Sequence, residues 1–266
     1  MLLAIDIGNS HTVIGLFNEK KLIGQWRLKS DRDRTDDELA IHCHGIFSLI
    51  GFASETITGI IIASVVPDLE TSWISCCRKY LSTNLQRPLM TVCAETVKDS
   101  IQIKTEHPEE VGADRLVNAI AGWQKYRCHL VIIDFGTAIT FDCVSAQCEY
   151  LGGAILPGIA VALDALSSRT AKLPRIDVSI GPEKVIGTNT VEAMKSGILF
   201  GYGSLVDGMT DKIRQEMGCF TDQLKVIATG GMAHLISPYT QTIDEIEPML
   251  TLQGLHFLHD RHQNND

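Results

Sequence analysis

The chain contains its own opening twice. Leu2 to Ile5 lead into Asp6-Ile7-Gly8-Asn9-Ser10-His11-Thr12, and Val131 to Ile133 lead into Asp134-Phe135-Gly136-Thr137-Ala138-Ile139-Thr140. At one constant offset of 128, Asp6 aligns with Asp134, Gly8 with Gly136, Thr12 with Thr140 and Gly24 with Gly152. The polar turns Asn18-Glu19-Lys20-Lys21 and Ala146-Gln147-Cys148-Glu149 coincide as well. The repeat therefore covers a three-stranded meander, and such a chain is read as a duplicated unit before anything else. Its 266 residues suffice for two domains of about 130 residues, expected at 1–110 and 111–266.

Each copy reads as strand, tight turn, strand. A glycine there lets a ligand approach bare backbone. Turn N–H groups and hydroxyls can cradle phosphate oxygens, and an aspartate just before the turn can hold a cation or a metal-bound water. The same spacing also serves ordinary hairpin turns. Two such turns on duplicated halves would face one cleft and suit a nucleoside triphosphate. With no lysine near either turn in sequence, Asp6 and Asp134 suggest cations between carboxylates and phosphates. A third glycine turn, Thr229-Gly230-Gly231, follows an apolar run. It would lay backbone against an adenine or ribose, or simply join a strand to a helix.

Composition narrows the partners. The net charge of −9 gives no non-specific attraction to nucleic acid or anionic lipid. No apolar run reaches the roughly 18 residues of a membrane span, and no signal peptide is indicated. Eight cysteines without a C-x-x-C pair read as free thiols in a reducing cytoplasm. His42-Cys43-His44 falls on a helix, where neighbours point apart and cannot close one metal site.

Along the chain, strands are expected at Leu2–Asp6, Thr12–Phe17 and Lys21–Leu28. A helix follows from the capping box Thr35-Asp36-Asp37-Glu38 to about Leu49. A strand at Ile57–Val66, a helix from Pro67 to about Leu81 and a strand at Leu89–Cys93 complete a βββαβαβ order, implying a mixed sheet flanked by helices. His107-Pro108-Glu109-Glu110 is expected to open a helix to about Tyr126. The second meander, Leu130 to Ala154, is followed by a helix from Pro157-Gly158 and a loop from Ser167 to Ile186. A long helix capped by Thr188-Asn189-Thr190 should end near Gly218. Then come a strand at Leu224–Ala228, a short helix after Gly230-Gly231, and a polar tail from Gln263 expected to fray. His256, His259 and His262 read as surface residues.

On the helix before the second meander, Val111, Ala119, Ile120 and Trp123 form the expected apolar face. Asp114 lies off it, in a row with Val117 and Ala121. Asp114 can accept the proton of a substrate hydroxyl attacking a γ-phosphate, and an ordinary carboxyl pKa near 3.9 would already leave it ionised. Arg115 can hold a carboxylate bidentately. A solvated Asp–Arg pair fits the same spacing. Thr188 and Thr190 can donate hydroxyls or cap the helix, and His11 can touch phosphate or stay in water.

Taken together, D-I-G-N-S-H-T at the start, G-A-D-R-L-V-N-A in the middle, I-D-F-G-T-A-I-T after it and I-G-T-N-T before the long helix resemble the type III pantothenate kinases, over nearly the full chain. The resemblance implies the acetate and sugar kinase, heat-shock ATPase and actin superfamily: an α/β, duplicated ribonuclease-H-like fold. It implies ATP binding by Asp6, Ile7, Gly8, Asn9, Ser10, His11, Thr12 and Val13, with Thr137 as a further contact. Asp114 is similar to the family's catalytic base, and Gly112, Ala113, Asp114, Arg115 and Thr190 resemble its pantothenate-binding set. Asp134 resembles the ligand of a monovalent cation, potassium or ammonium, needed beside magnesium, and Asp6 would act through magnesium-bound water. The family is dimeric. Many members carry a tyrosine where this chain has Thr105, so a stacking or hydroxyl contact with substrate there is expected to be absent or replaced. Two alternatives stay open: a same-fold kinase for another hydroxyl substrate, and a relative that binds nucleotide without phosphoryl transfer.

Overall fold

The computed structural model describes residues 1–82, 84–220 and 223–264. The chain runs β1 (Leu2–Ile7), β2 (His11–Asn18), β3 (Lys21–Lys29), α1 (Asp36–Leu49), β4 (Gly59–Ser64), α2 (Pro67–Cys76), β5 (Met90–Thr91), α3 (Ala94–Val97), β6 (Gln102–Ile103) and α4 (Ala113–Tyr126). It continues through β7 (His129–Phe135), β8 (Ala138–Val144), β9 (Glu149–Pro157), α5 (Ile159–Arg169), α6 (Thr190–Glu216), β10 (Leu224–Thr229), α7 (Ala233–Ile236), β11 (Glu245–Ile246) and α8 (Leu250–Asn264). Two units result: Met1–Ala121 with Leu250–Asp266, and Gly122–Met249.

In the first unit the strand order is β3-β2-β1-β4-β5. β1 pairs antiparallel with β2 and parallel with β4. A strand between two others with helices over both faces must be apolar throughout, and Leu3, Ala4 and Ile5 are fully buried, as is Ile61 in β4. α1 starts at the expected capping box, with Glu38 N–H on the Thr35 hydroxyl and the Glu38 carboxylate on Thr35 N–H. Its Cys43 is buried while His42 and His44 are exposed. α2 widens into a π-helical turn at Cys77–Leu81.

α8 returns to this first unit. A Cβ at Gly15 would meet Leu252 at 3.0 Å, and one at Gly254 would meet Val117 Cγ1 at 2.6 Å. The bare glycines admit the helix against β2 and α4. The first unit therefore includes the C-terminal helix and most of α4, unlike the division expected at 110/111.

In the second unit the strands run β11-β10-β7-β8-β9, with β10 parallel to β7 and β11, and β8 antiparallel to β7 and β9. α6 stops where Gly218 takes φ +65° and its N–H caps the Gln215 carbonyl, an αL termination.

Both units carry the expected meander, and each has a bulge that skips one residue of its third strand, Ile23 in β3 and Leu151 in β9. The single offset of 128 is corrected in the middle strand. Ile7 pairs with Thr12 in the first unit, but its counterpart Phe135 pairs with Ile139. Likewise Asp6 pairs with Val13, and Asp134 with Thr140. The second turn is one residue shorter, so Thr140 matches Val13 and not Thr12. A one-residue slip reverses facing: Thr12 and Ile139 are buried, while Thr140 is half-buried and donates to Asp142.

Three further expectations change. The helix before the second meander does not begin at His107. Pro108–Glu110 is a separate 3₁₀ turn, Val111 is extended, and the helix starts at Ala113. α8 runs helically through Asn264, beyond the point where fraying was expected, and the last two residues of that tail lie outside the described residues. His256 and His259 are not surface residues: their side chains are only 12% and 13% exposed.

The His259 ring lies over Gly59, where a Cβ would stand 2.3 Å from Nε2. Burial holds its pKa below the usual 6.5, with His256, His262 and Arg87 acting in the same direction and Asp260 opposing. The unfolded chain therefore takes up this proton first, and folding stability falls as pH drops below about 6.5. The expected outcome is that His259→Gln loses less melting temperature than the parent between pH 7.5 and 5.5, read by thermal unfolding.

Candidate functional site

In the first unit, the meander fixes the turn after β1. Gly8 N–H donates to the His11 carbonyl at 3.0 Å. Asn9, Ser10 and His11 are exposed at the tip, whereas Ile7 packs in the core and Thr12 is buried. The Thr12 hydroxyl lies 3.0 Å from Ser30 Oγ, and Ser30 Oγ donates to the Gly8 carbonyl at 2.6 Å. Of the eight residues from Asp6 to Val13, Ile7 and Thr12 thus use their side chains to build the turn. Ser30 escaped the sequence reading because it lies far along the chain. Counting β3 back along its partner would have found it: His11 pairs with Lys29, which puts residue 30 opposite the tip.

Gly112, Ala113, Asp114 and Arg115 form the start of α4 in the same unit. Asp114 Oδ1 accepts from Arg115 N–H at 2.7 Å. A Cβ at Gly112 would stand 2.6 Å from that oxygen and 3.3 Å from Val65 Cγ1, so the carboxylate occupies space that only glycine leaves. α4 is apolar on more than the one expected face: Leu116, Val117, Ala119, Ile120 and Ala121 are all buried. The row that Asp114 shares with Val117 and Ala121 therefore runs into the core. Burial raises the Asp114 pKa above 3.8, and the neighbouring Arg115 only partly offsets this, so the ordinary value expected from sequence is corrected. Asn118, also in the motif, is buried and accepts from the Thr251 hydroxyl at 2.8 Å, tying α8 to α4. Thr105 is half-buried, and its hydroxyl has no hydrogen-bond partner among the described residues.

In the second unit, three glycines let three backbone segments meet at the turn that follows Asp134. Gly136 N–H donates to Ala138, and Gly158 N–H to the Thr137 carbonyl, each at 3.0 Å. A Cβ on Gly158 would stand 2.3 Å from that carbonyl oxygen. Gly230 takes φ +87°, and a Cβ there would stand 2.3 Å from Asp134 Oδ1. The third glycine turn is therefore built against the second one. Its Thr229 is buried and spends its hydroxyl on the Glu247 carbonyl at 2.8 Å. Thr137 is exposed. Thr190 is the exposed first residue of α6, and the cap falls to Asn189, whose side chain accepts from Glu192 N–H at 2.9 Å. Its hydroxyl is thus not needed to start the helix.

A carboxyl whose pKa is raised by folding costs stability wherever it is ionised in the native state. That cost disappears as pH falls through the native pKa towards the unfolded value of 3.8. Asp114→Asn keeps the acceptor for Arg115 N–H and removes the charge. The variant is expected to melt higher than the parent at pH 7.5, by an amount that shrinks on acidification; a lower melting temperature at both pH values would contradict the burial argument.

Comparison with known proteins adds a family. The model of the type III pantothenate kinase family matches residues 2–212. A type III pantothenate kinase of Desulfotalea psychrophila is 53% identical over 258 residues, covering 97% of each chain. One of Pelobacter propionicus is 44% identical over 263 residues, covering 99% of this chain and all of the relative. Among solved structures, a conserved protein assigned to the Baf family of transcriptional activators from Campylobacter jejuni aligns with a TM-score of 0.59 and 19% identity, covering 98% of this chain and 99% of that one. That likeness concerns the fold alone.

Proposed function

The chain belongs to the type III pantothenate kinase family, and we propose that it transfers the γ-phosphoryl group of ATP to the primary hydroxyl of pantothenate, giving 4′-phosphopantothenate on the way to coenzyme A. The observation that carries this is the 53% identity to a type III pantothenate kinase across 97% of both chains.

In this reading Asp6 to Val13 form a phosphate turn, and Thr137 is a second nucleotide contact. Asp114 takes the proton from the attacking hydroxyl. Taking its carboxylate partly out of water strengthens it as a base, because the charged form is the one that burial disfavours. Gly112 leaves room for that carboxylate, and Ala113 presents backbone beside it. Arg115 holds the pantothenate carboxylate through its planar fork, and Thr190 donates to the same substrate. At Thr105, whose hydroxyl is buried, the stacking or hydroxyl contact made by the tyrosine of other members is absent or replaced.

Asp134 fits a monovalent cation, potassium or ammonium. It offers a hard oxygen donor beside Gly230, where a Cβ would meet Oδ1. Asp6 would hold magnesium through water. Bound cations neutralise charge on the phosphates; positioning and proton removal fall to the side chains just named. We assign the enzyme to the cytoplasm as a homodimer. Among the described residues no helix is long and apolar enough to cross a membrane.

A coupled assay with ATP and a panel of hydroxylated acceptors, with and without potassium, tests the reading. Turnover with pantothenate above every other acceptor is expected, whereas nucleotide binding without product would favour a non-catalytic relative. Asp114→Asn is expected to lower kcat by at least about 10³-fold with ATP affinity nearly unchanged. Arg115→Ala should raise the KM for pantothenate more than that for ATP.

A further inference from the structure

The segment just after β3 is tied to the first glycine turn from the outside. Ser30 makes three bonds to it. Its Oγ donates to the Gly8 carbonyl at 2.6 Å and shares a hydrogen bond with the Thr12 hydroxyl at 3.0 Å, and its N–H donates to the Ser10 carbonyl at 3.0 Å. Two carbonyls of the turn are thereby occupied from one side. A carbonyl facing a phosphate would repel it, so drawing these towards Ser30 leaves the exposed tip at Asn9 and Ser10 presenting its donors. Two residues on, Arg32 Nη2 donates to Asn9 Oδ1 at 3.3 Å. This bond is long and exposed, and a guanidinium carries five N–H donors. The Asp31 carboxylate is turned onto its own backbone, accepting from Asp33 N–H at 3.3 Å. No lysine stands within the turn itself, and the chain carries a net charge of −9, so charge for a phosphate tail must be supplied locally.

We propose that Ser30 and Arg32 complete the first phosphate turn: Ser30 is a positioning residue that sets the direction of its carbonyls, and Arg32 contacts the distal phosphates of a nucleoside triphosphate. This rests on the reading of that turn as the ATP site and adds to it the source of positive charge. Arg32 moves from Asn9 to phosphate oxygens when nucleotide binds, exchanging a neutral acceptor for an ionised one, a stronger bond. Because it reaches the far end of the tail, it distinguishes triphosphate from monophosphate.

The test is equilibrium binding of ATP and AMP, without any acceptor, to the full chain and to Arg32→Ala, Arg32→Lys, Ser30→Ala and Ser30→Thr, at low and high salt. Arg32→Ala is expected to weaken ATP about tenfold while leaving AMP within about twofold, and to flatten the salt dependence of ATP binding. Arg32→Lys should recover part of the loss. Ser30→Ala should weaken ATP and Ser30→Thr restore it, with the melting temperature checked for each. Equal binding of ATP by Arg32→Ala and the parent, or equal losses for ATP and AMP, would overturn the role of Arg32. Failure of Ser30→Thr to restore what Ser30→Ala loses would overturn that of Ser30. Since pantothenate is absent, a parent protein that binds ATP in this pattern yet phosphorylates nothing sinks the kinase reading and leaves this inference standing.

Discussion

A carboxylate taken partly out of water is costly unless something compensates, and the start of α4 holds one there, half-buried. Asp114 has backbone donors in the N–H of Arg115 and its own N–H, and space left by a missing Cβ at Gly112. None of these cancels the desolvation, and the carboxyl remains harder to ionise than a free one. Such an arrangement lowers stability. A fold retains it where the heightened affinity for a proton is itself useful, and that is the property a base needs to take a proton from an alcohol.

Each unit, taken by itself, places backbone, more than side chains, at its proposed ligand turn. Gly8 and Gly136 close equivalent turns by donating to carbonyls across the turn. Gly158 and Gly230 press against the second turn so tightly that a methyl group at either would overlap it. Gly230 also sits at φ +87°, where an L-residue is strained. Conserving space for a ligand and forming a strong sheet are competing demands, and here the strands carry the stability. Their buried apolar runs, Leu2–Ile5 and Leu130–Ile133, lead up to the half-buried aspartate before each turn.

Much of this was legible in the sequence, for definable reasons. The repeat announced the meanders because the outer strands keep one spacing, down to a bulge at Ile23 and Leu151. Periodicity and capping chemistry located α1, α6, the two meanders, β4, β5 and β10 within a few residues, but not the two-residue strands β6 and β11. What failed was whatever depended on a turn losing one residue or on contacts distant in sequence. Thr140 seemed the partner of Thr12 because the motif matched in letters, while the hydrogen-bond register assigns it to Val13. α8 could not be allotted to the first unit without knowing that Gly15 and Gly254 leave room for it. The ordinary pKa expected for Asp114 failed because its helix row was judged against one apolar face, when α4 is covered on several. Ser30 and Arg32 carry no motif, and only strand pairing brings them to the tip.

The most direct measurement is the titration of the Asp114 carboxyl carbon in the ligand-free protein by carbon-13 NMR, its signal assigned by disappearance in Asp114→Asn. Burial predicts a midpoint above the ordinary value of 3.8. A midpoint at or below that value would mean the carboxylate is as well solvated as a surface aspartate, and the physical ground for proposing this residue as the base would be gone.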